Sequence, residues 1–283
     1  MIWLINKPDK ICKATGEKRI IMAKESVKNV TAHLRLPVII FHEEMTDEIK
    51  KEFVDIYPEI SFIEVDFQNN NLPHNKSISK AGKGYMMMCR FFSGVMQQNP
   101  ALKEYDYYMR FDDDSFLSEP YIEQEKFLDT ATNSYYVYRT TFKDNAEYIN
   151  YPTGLFKFTY DFCKKNVLDI DDLMPTLKQI GFIENDMYTG LAPYNNFHFS
   201  RLDLWNNTII KKYTDKIIEM NGTLLYNWMD ANIHSMIIFV LCPLLYTPVS
   251  EITDFGYRHN RHFSLINSLK WVHVEDEEFY PKS

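Results

Sequence analysis

The stretch Tyr105-Asp-Tyr-Tyr-Met-Arg-Phe111 leads directly into Asp112-Asp113-Asp114, and it is the most informative part of this 283-residue chain. Residues alternate between the two faces of a strand, so Tyr107, Met109 and Phe111 are predicted to share one face. A buried strand that ends in three carboxylates concentrates negative charge where a sheet meets solvent. Adjacent carboxylates repel one another unless they are solvated or a cation lies among them. The stretch therefore predicts a solvated acidic turn or a cation site.

Strand and helix patterns alternate before this strand. The β-branched run Val38–His42 predicts a buried strand, and Thr46 is placed to cap the following helix, which Pro58 ends. Two more strands are predicted at residues 18–23 and 61–66, and two more helices at residues 26–33 and 85–96. This alternation predicts an α/β fold with an open, mostly parallel sheet that binds ligands at the carboxyl ends of its strands.

The second half of the chain mixes strand and helix patterns. Residues 134–142 predict a strand and residues 207–220 an amphipathic helix. Asp230 is placed to cap an apolar helix over residues 231–242. No internal repeat or low-complexity linker separates the two halves, so a single domain over residues 1–283 is predicted.

Charge and composition exclude several classes of protein. The net charge is −8 and the sequence pI is about 5.5, whereas a general nucleic-acid binder normally has a basic surface. A nucleotide ligand is still compatible with this charge, because a metal ion and a few cations reverse the field locally. The longest apolar stretch, residues 236–245, contains Pro243 and is shorter than a membrane span of about 20 residues. We expect a soluble cytoplasmic chain or, alternatively, a Golgi-lumenal domain separated from its anchor.

Four segments form a further pattern. They are Tyr85-Met-Met-Met-Cys-Arg90-Phe-Phe-Ser93-Gly94, Tyr105 to Asp114, Trp228-Met-Asp230-Ala-Asn-Ile-His234-Ser235 and Asp254-Phe-Gly256-Tyr257-Arg258-His259-Asn260. In order and spacing they resemble motifs of the fungal-type α-1,2-mannosyltransferases of glycosyltransferase family 15, also called glycolipid 2-alpha-mannosyltransferases. The chain departs from them where the family has Glu-Pro-Asp in place of the acidic triplet. It also departs where His198-Phe-Ser-Arg-Leu-Asp203 shortens the family's His-Phe-Trp-Ser-Asn-Phe-Glu.

The resemblance implies a GT-A-type fold, in which helices flank an open, mostly parallel mixed sheet. It implies a donor-nucleotide half at residues 18–120 and an acceptor half at residues 121–283. The implied reaction is retaining transfer of α-mannose from GDP-mannose to a hydroxyl of a mannose-containing or other glycan. Three alternatives stay open: a UDP-sugar donor, a metal-dependent phosphotransferase or hydrolase, and a non-catalytic glycan-binding module. The sequence has no P-loop to support the phosphotransferase.

The resemblance also implies a divalent metal held by Asp112 and His234, with Asp114 beside them. A metal there acts as a Lewis acid on the leaving diphosphate. Oxygen ligands suit Mg²⁺ or Mn²⁺ and one imidazole favours Mn²⁺, so Mn²⁺ is expected and Mg²⁺ is the alternative. Alternatively, His234 has a structural role and forms a hydrogen bond with Asp230 four residues earlier. A ligand histidine can make such a bond as well.

Catalytic and substrate-binding residues are expected in the same segments. Retention needs a carboxylate nucleophile or a same-face attack guided by the leaving phosphate, and Asp203 is the expected carboxylate. Its alternative role is to cap the helix after Asn206. The residues expected to bind the donor are Arg90, Arg110, Ser93, Tyr257 and His259, and those expected to bind the acceptor are Tyr85 and Asp230. Arg110 has an alternative partner in Asp106 or in the acidic triplet, and Tyr85 has an alternative place in the core.

Overall fold

A mixed sheet of seven strands forms the centre of the molecule. The computed structural model describes residues 1–5, 9–11, 18–67, 71–76, 82–143, 154–259, 262–264 and 271–273. From one edge to the other, the strands are β12 (Val249–Glu251), β6 (Tyr136–Tyr138), β11 (Phe197–Arg201), β4 (Tyr107–Phe111), β1 (Ile2–Ile5), β2 (Val38–His42) and β3 (Ile60–Glu64). Strands β4, β1, β2 and β3 are parallel, and β11 runs antiparallel to both β4 and β6.

The parallel strands have apolar side chains on both faces because helices cover both sides of the sheet. In β1, Ile2 and Leu4 join one core cluster, and Trp3 and Ile5 join the other. The strands predicted at residues 38–42 and 61–66 are confirmed as β2 and β3. Strand β1 is an addition to the predicted strands.

The helices flank this sheet and connect its strands. In chain order they are α1 (Arg19–His33), α2 (Asp47–Ile56), α3 (Lys83–Arg90), α4 (Gln124–Thr132), α5 (Leu155–Lys165), α6 (Ile170–Gln179), α7 (Leu202–Asn206), α8 (Thr208–Glu219), α9 (Gly222–Tyr226), α10 (Asp230–Met236) and α11 (Cys242–Leu244). The predicted cap of α2 is confirmed, since the Thr46 side chain accepts a hydrogen bond from the Ile49 amide. Among the described residues, no helix is both long and apolar enough to cross a membrane.

Helix α1 replaces the strand that was predicted at residues 18–23, and that prediction is wrong. The buried residues Ile20, Ala23, Val27 and Val30 recur every three to four positions, which is the period of a helix. The short apolar run 20–23 was ambiguous because its period becomes visible only together with the residues after it. The helix predicted at residues 26–33 is the second half of α1.

Helix α3 is followed by a kink within Phe91–Val95, where Ser93 and Gly94 have non-helical backbone angles and interrupt the predicted helix of residues 85–96. Gly94 has a φ of 137° at this kink, a conformation that side-chain-bearing residues rarely adopt. A β-carbon at Gly94 would lie 2.9 Å from the Thr214 side chain. The glycine therefore lets α3 and α8 approach closely.

A smaller antiparallel sheet stands beside the central one. Its strands are, in spatial order, β15 (Trp271–His273), β14 (His262–Ser264), β13 (Gly256–His259) and β5 (Ser115–Ser118). Two two-stranded sheets pair β7 (Thr141–Lys143) with β10 (Leu191–Pro193), and β8 (Ile183–Glu184) with β9 (Met187–Tyr188). Together the layers confirm the predicted α/β class with a mostly parallel central sheet.

Candidate active site

The acidic triplet follows β4 and turns the chain directly into β5. The Asp112 amide donates to the Ser115 hydroxyl, and the Ser115 amide donates to the Asp112 carbonyl, each at 3.1 Å. The tight turn therefore fixes the direction of its carboxylates. It also places Asp114 immediately before the first residue of β5.

His259 reaches this turn through the pairing of β13 with β5. The register sets His259 opposite Ser115, so the imidazole lies beside the two outer carboxylates. Its Nε2 is 2.9 Å from Asp114 Oδ1 and 3.6 Å from Asp112 Oδ2. The three side chains form a compact group of carboxylate and imidazole ligand atoms, all within 4.8 Å of one another.

A cavity of about 440 Å³ opens over this group. Its volume lies in the range of small-molecule sites. The cavity is lined by the cations Lys10 and Arg19 and by apolar and aromatic side chains, which include Tyr85, Met88, Phe142 and Met229. The site thus combines charged groups with a surface suited to the apolar face of a sugar ring.

Arg110 lines the cavity and is only 2% exposed. Its Nη2 donates to Asp112 at 2.9 Å and its Nη1 donates to Asp230 at 2.7 Å. The guanidinium also lies 3.5 Å from the centre of the Phe92 ring. Because both ends of the fork are held by carboxylates, Arg110 fixes the positions of Asp112 and Asp230.

The acids of the triplet have different environments. Burial opposes ionisation of Asp112, but Arg110 and His259 outweigh this effect and lower the Asp112 pKa to about 2. Burial raises the pKa of Asp113 to about 6, and the Arg19 guanidinium offsets only part of that increase. Burial also disfavours the charged ring of His259, yet Asp114 and the other acceptors around it raise the His259 pKa well above its ordinary value. The outer acids are thus held ionised beside a cationic imidazole.

The group formed by Asp112, Asp114 and His259 also suits a divalent metal ion. Asp114 Oδ1 is buried and makes no aligned hydrogen bond, despite its short contact with His259. The Tyr194 hydroxyl lies 2.9 Å from His259 Nδ1 and orients the ring, which leaves Nε2 directed at the carboxylates. Two carboxylates and one oriented imidazole form a ligand set that suits Mn²⁺, which would displace the proton from the imidazole.

Comparison with known proteins identifies the family of this chain. Residues 31–276 match the sequence profile of the family described as glycolipid 2-alpha-mannosyltransferase. The chain belongs to this family. It is 30% identical over 189 residues to the glycolipid 2-alpha-mannosyltransferase of Saccharomyces cerevisiae, covering 65% of this chain and 40% of that protein. It is 25% identical over 244 residues to the O-glycoside alpha-1,2-mannosyltransferase omh1 of Schizosaccharomyces pombe, covering 78% of this chain and 60% of that protein.

Solved structures share the fold of this family member. Core-mannan synthase A from Aspergillus fumigatus, in its Mn/GDP form, superposes with a TM-score of 0.68 at 20% identity, covering 100% of this chain and 80% of that one. The mannosyltransferase Ktr4p from S. cerevisiae, in complex with GDP, superposes with a TM-score of 0.71 at 18% identity, covering 93% and 71%. The GT-A-type fold is therefore confirmed. The chain spans less than two thirds of the length of the two curated relatives described above.

His259, rather than His234, is the histidine that this family member places beside the two outer acids. His234 is fully buried, and its Nε2 lies 2.9 Å from the Phe92 carbonyl. Its Nδ1 lies 2.8 Å from the Tyr136 hydroxyl. Because both ring nitrogens have protein partners, His234 leaves the candidate ligand set. The expected hydrogen bond to Asp230 is replaced by these two.

Asp203 lies at the opposite edge of the sheet from the triplet. Strand β11 is antiparallel to β4, with Phe197 paired to Phe111 and Arg201 paired to Tyr107. Asp203, two residues after Arg201, is half exposed and forms an ion pair with it at 2.7 Å. This position contradicts the expected role of Asp203 as nucleophile. The helix after Asn206 is capped by Asn207 instead.

Three residues expected to bind the donor have structural roles outside the cavity. Arg90 donates to the Ile218 carbonyl at the end of α8, at 3.5 Å. The buried Ser93 donates to the carbonyl of Cys89 one turn earlier. The Tyr257 hydroxyl lies 2.7 Å from the hydroxyl of Ser115, the residue that closes the acidic turn.

The other predicted residues meet at the cavity. Arg110, His259, Tyr85 and Asp230 all line it. Helix α10 begins at Asp230, so its carboxylate is not the predicted cap and is directed at Arg110 instead.

Several residues line the cavity without having been predicted from the sequence, namely Lys10, Arg19, Tyr194, Asn195 and Asn196. The last two directly precede β11, and the antiparallel pairing of β11 with β4 brings them to the acidic edge. Only that long-range pairing reveals them.

Proposed function

We propose that this protein transfers α-mannose from GDP-mannose to a hydroxyl of a mannose-containing glycan, with a divalent metal ion at Asp112, Asp114 and His259. The observation that carries the proposal is this ligand group at the carboxyl end of β4, facing a cavity in a mannosyltransferase family member. Ligands bind at this edge in open α/β sheets. The GDP complexes of structurally similar proteins support the choice of donor.

The protein's own cations suit a nucleoside diphosphate. Lys10 and Arg19 line the same cavity as the ligand group. When bound, the metal ion supplies Lewis-acid stabilisation of the leaving diphosphate. Arg110 holds Asp112 in a fixed position, so the ligand group needs little rearrangement before it binds the metal.

We expect the acceptor to bind against apolar and aromatic side chains that line the cavity. Tyr85 is 47% exposed there, next to Met88 and Met229. An exposed aromatic ring at the rim suits the apolar face of a pyranose, whereas a ring of the core would be buried. The proposal therefore assigns the acceptor to the surface between α3 and the start of α10.

For the stereochemistry, we propose same-face attack with retention. Asp230 lines the cavity and accepts hydrogen bonds from Arg110 and from Asn195, at 2.7 and 2.9 Å. Two donors on one carboxylate weaken it as a nucleophile but leave its charge in place to stabilise a cationic sugar ring. In this scheme Asp230 stabilises charge and forms no bond to the sugar.

The test is a donor screen by calorimetry with and without Mn²⁺, followed by analysis of the product. We expect GDP and GDP-mannose to bind in the presence of Mn²⁺, and UDP-sugars to bind at least about tenfold more weakly. NMR of the transferred sugar should show an α linkage. Equal binding of UDP-sugars would refute the donor assignment, and a β-linked product would refute retention.

A further inference from the structure

Asp113 has a partner of its own, although it stands between two candidate metal ligands. The Arg19 Nε donates to Asp113 Oδ2 at 2.6 Å, and Arg19 Nη2 contacts the other carboxylate oxygen. Asp113 is 3% exposed, and the Arg19 side chain is 29% exposed. This two-pronged ion pair joins the acidic turn to the first residue of α1.

Residues 9–11, which precede α1, are bonded to the start of that helix. The Arg19 amide donates to the Lys10 carbonyl at 2.8 Å, and Ile11 forms an antiparallel bridge with Lys18. Lys18 also pairs with Asp9 at 2.7 Å. Residues 9–11 are thereby fastened to the start of α1, and the ion pair fastens that start to the acidic turn.

Lys10 is exposed and lines the cavity that contains the triplet. Among the described residues, four carboxylates line this cavity. The permanently charged cations that line it are Lys10, Arg19 and Arg110. Arg110 is engaged with Asp112 and Asp230, and Arg19 with Asp113. Of these three cations, Lys10 is the one with an ammonium group. Its flexible side chain suits contact with a phosphate.

We infer that Asp113 is a positioning residue, which through Arg19 holds Lys10 where it contacts the diphosphate of the donor. Asp113 thus strengthens donor binding without being a metal ligand. Pairing with Arg19 also neutralises a carboxylate that would otherwise repel the diphosphate. The inference rests on the proposed function, because it requires a nucleoside diphosphate in the cavity.

The experiment compares Asp113→Asn, Lys10→Met and the double variant with the wild type. GDP affinity is measured by calorimetry at saturating Mn²⁺, and KM and kcat are measured for GDP-mannose. We expect each single variant to weaken GDP binding about tenfold, with the effect concentrated in KM. The double variant should bind about as weakly as either single variant, because both changes remove the same contact.

Two further measurements keep the inference testable. Asp113→Glu retains the carboxylate and should recover most of the affinity that Asp113→Asn loses. Mn²⁺ affinity without nucleotide should be the same in Asp113→Asn and the wild type, whereas a loss there would make Asp113 a metal ligand and overturn the inference. Lys10→Met changes an exposed residue, so it remains informative even if Asp113→Asn fails to fold.

The outcomes separate this inference from the proposed function. If the wild type binds GDP and Lys10→Met binds it equally well, the positioning role is wrong and the proposed function stands. If the losses in the double variant add up to about a hundredfold, the two residues act independently and the inference is wrong. If the wild type does not bind GDP, the proposed function itself fails.

Discussion

Two histidine-centred regions of this molecule have opposite environments. His259 lies at the cavity, with carboxylates at its Nε2 and the Tyr194 hydroxyl at its Nδ1. His234 lies inside the core, with the Phe92 carbonyl and the Tyr136 hydroxyl as partners and the Trp205 ring 5.0 Å away. The first environment favours a charged or metal-bound ring, and the second favours a neutral one. Surroundings decide what each histidine does, and sequence position does not reveal them.

The shifts in pKa express the same contrast. Burial lowers the His234 pKa to about 4. His198, 5.2 Å from His234 between ring centres, is also buried, and its pKa is lowered well below the ordinary value. By contrast, the pKa of His259 is raised because carboxylates surround it. We therefore expect changes at the buried His234 to affect stability and changes at His259, beside the cavity, to affect catalysis.

The largest predicted effect is the loss of turnover when an outer acid of the cavity region is neutralised. Asp112→Asn or Asp114→Asn should lower kcat for mannosyl transfer by about 1000-fold, since a ligand of the proposed metal is removed. The measurement is product formation at saturating GDP-mannose and Mn²⁺. Thermal unfolding should show a folded protein in both cases, and turnover within tenfold of the wild type would contradict the metal assignment.

Replacing each histidine by alanine should separate the two regions. His234→Ala leaves a buried hydroxyl and a buried carbonyl without their partner and opens a cavity, so it should cost about 3 kcal/mol of unfolding free energy. His259→Ala should cost less unfolding free energy than His234→Ala, because its site is open to the cavity, but it should abolish most turnover. Denaturant unfolding and kinetics on both variants test this split. Comparable losses of stability would remove the contrast.

Acid should destabilise the protein through the buried His234. Above pH 6.5 the His234 ring is neutral in both the folded and the unfolded chain. As the pH falls from 6.5 to about 4, the unfolded chain binds a proton that the folded chain excludes, which lowers the unfolding free energy by about 3 kcal/mol. The difference in stability between the wild type and His234→Ala should therefore shrink by about that amount between pH 7 and pH 4. A constant difference would show that His234 is not held neutral.

The smallest predicted effect is at Asp203, which serves as a matched acid outside the cavity. Asp203→Asn removes an ion pair with Arg201 whose carboxylate is 51% exposed, and such surface pairs contribute little. Turnover should stay within about twofold of the wild type, measured beside Asp114→Asn under the same conditions. A loss of turnover comparable to that of Asp114→Asn would restore Asp203 as a catalytic residue and contradict the placement of β11.

Local patterns predicted much of the fold. The run before the acidic triplet alternates over enough residues to specify β4, and the Thr46 cap with its acidic first turn specifies the start of α2. Short apolar segments were less informative. Ile2–Ile5 forms β1, and residues 18–23 were assigned to a strand although they begin α1. Four to six residues are too few to separate the period of a strand from that of a helix.

The candidate site was harder to predict because pairings between distant strands assemble it. Asp112 and Asp114 could be found because a strand end is a local feature. His259 lies beside them only because of the register of β13 on β5. Asp203 lies far from them because β11 runs antiparallel to β4. Neither pairing leaves a local signal in the sequence. The resemblance pointed to His234 as the ligand, whereas His259 is the histidine that lies beside the two outer acids.

The most direct test of the account is Mn²⁺ binding in the presence of GDP, measured by electron paramagnetic resonance or calorimetry. The wild type, His259→Ala and His234→Ala are compared at pH 7.5 and at a temperature where all three are folded. We predict that His259→Ala binds Mn²⁺ at least about tenfold more weakly than the wild type, while His234→Ala binds it normally. Normal binding by His259→Ala, or weakened binding confined to folded His234→Ala, would contradict the assignment of the metal site.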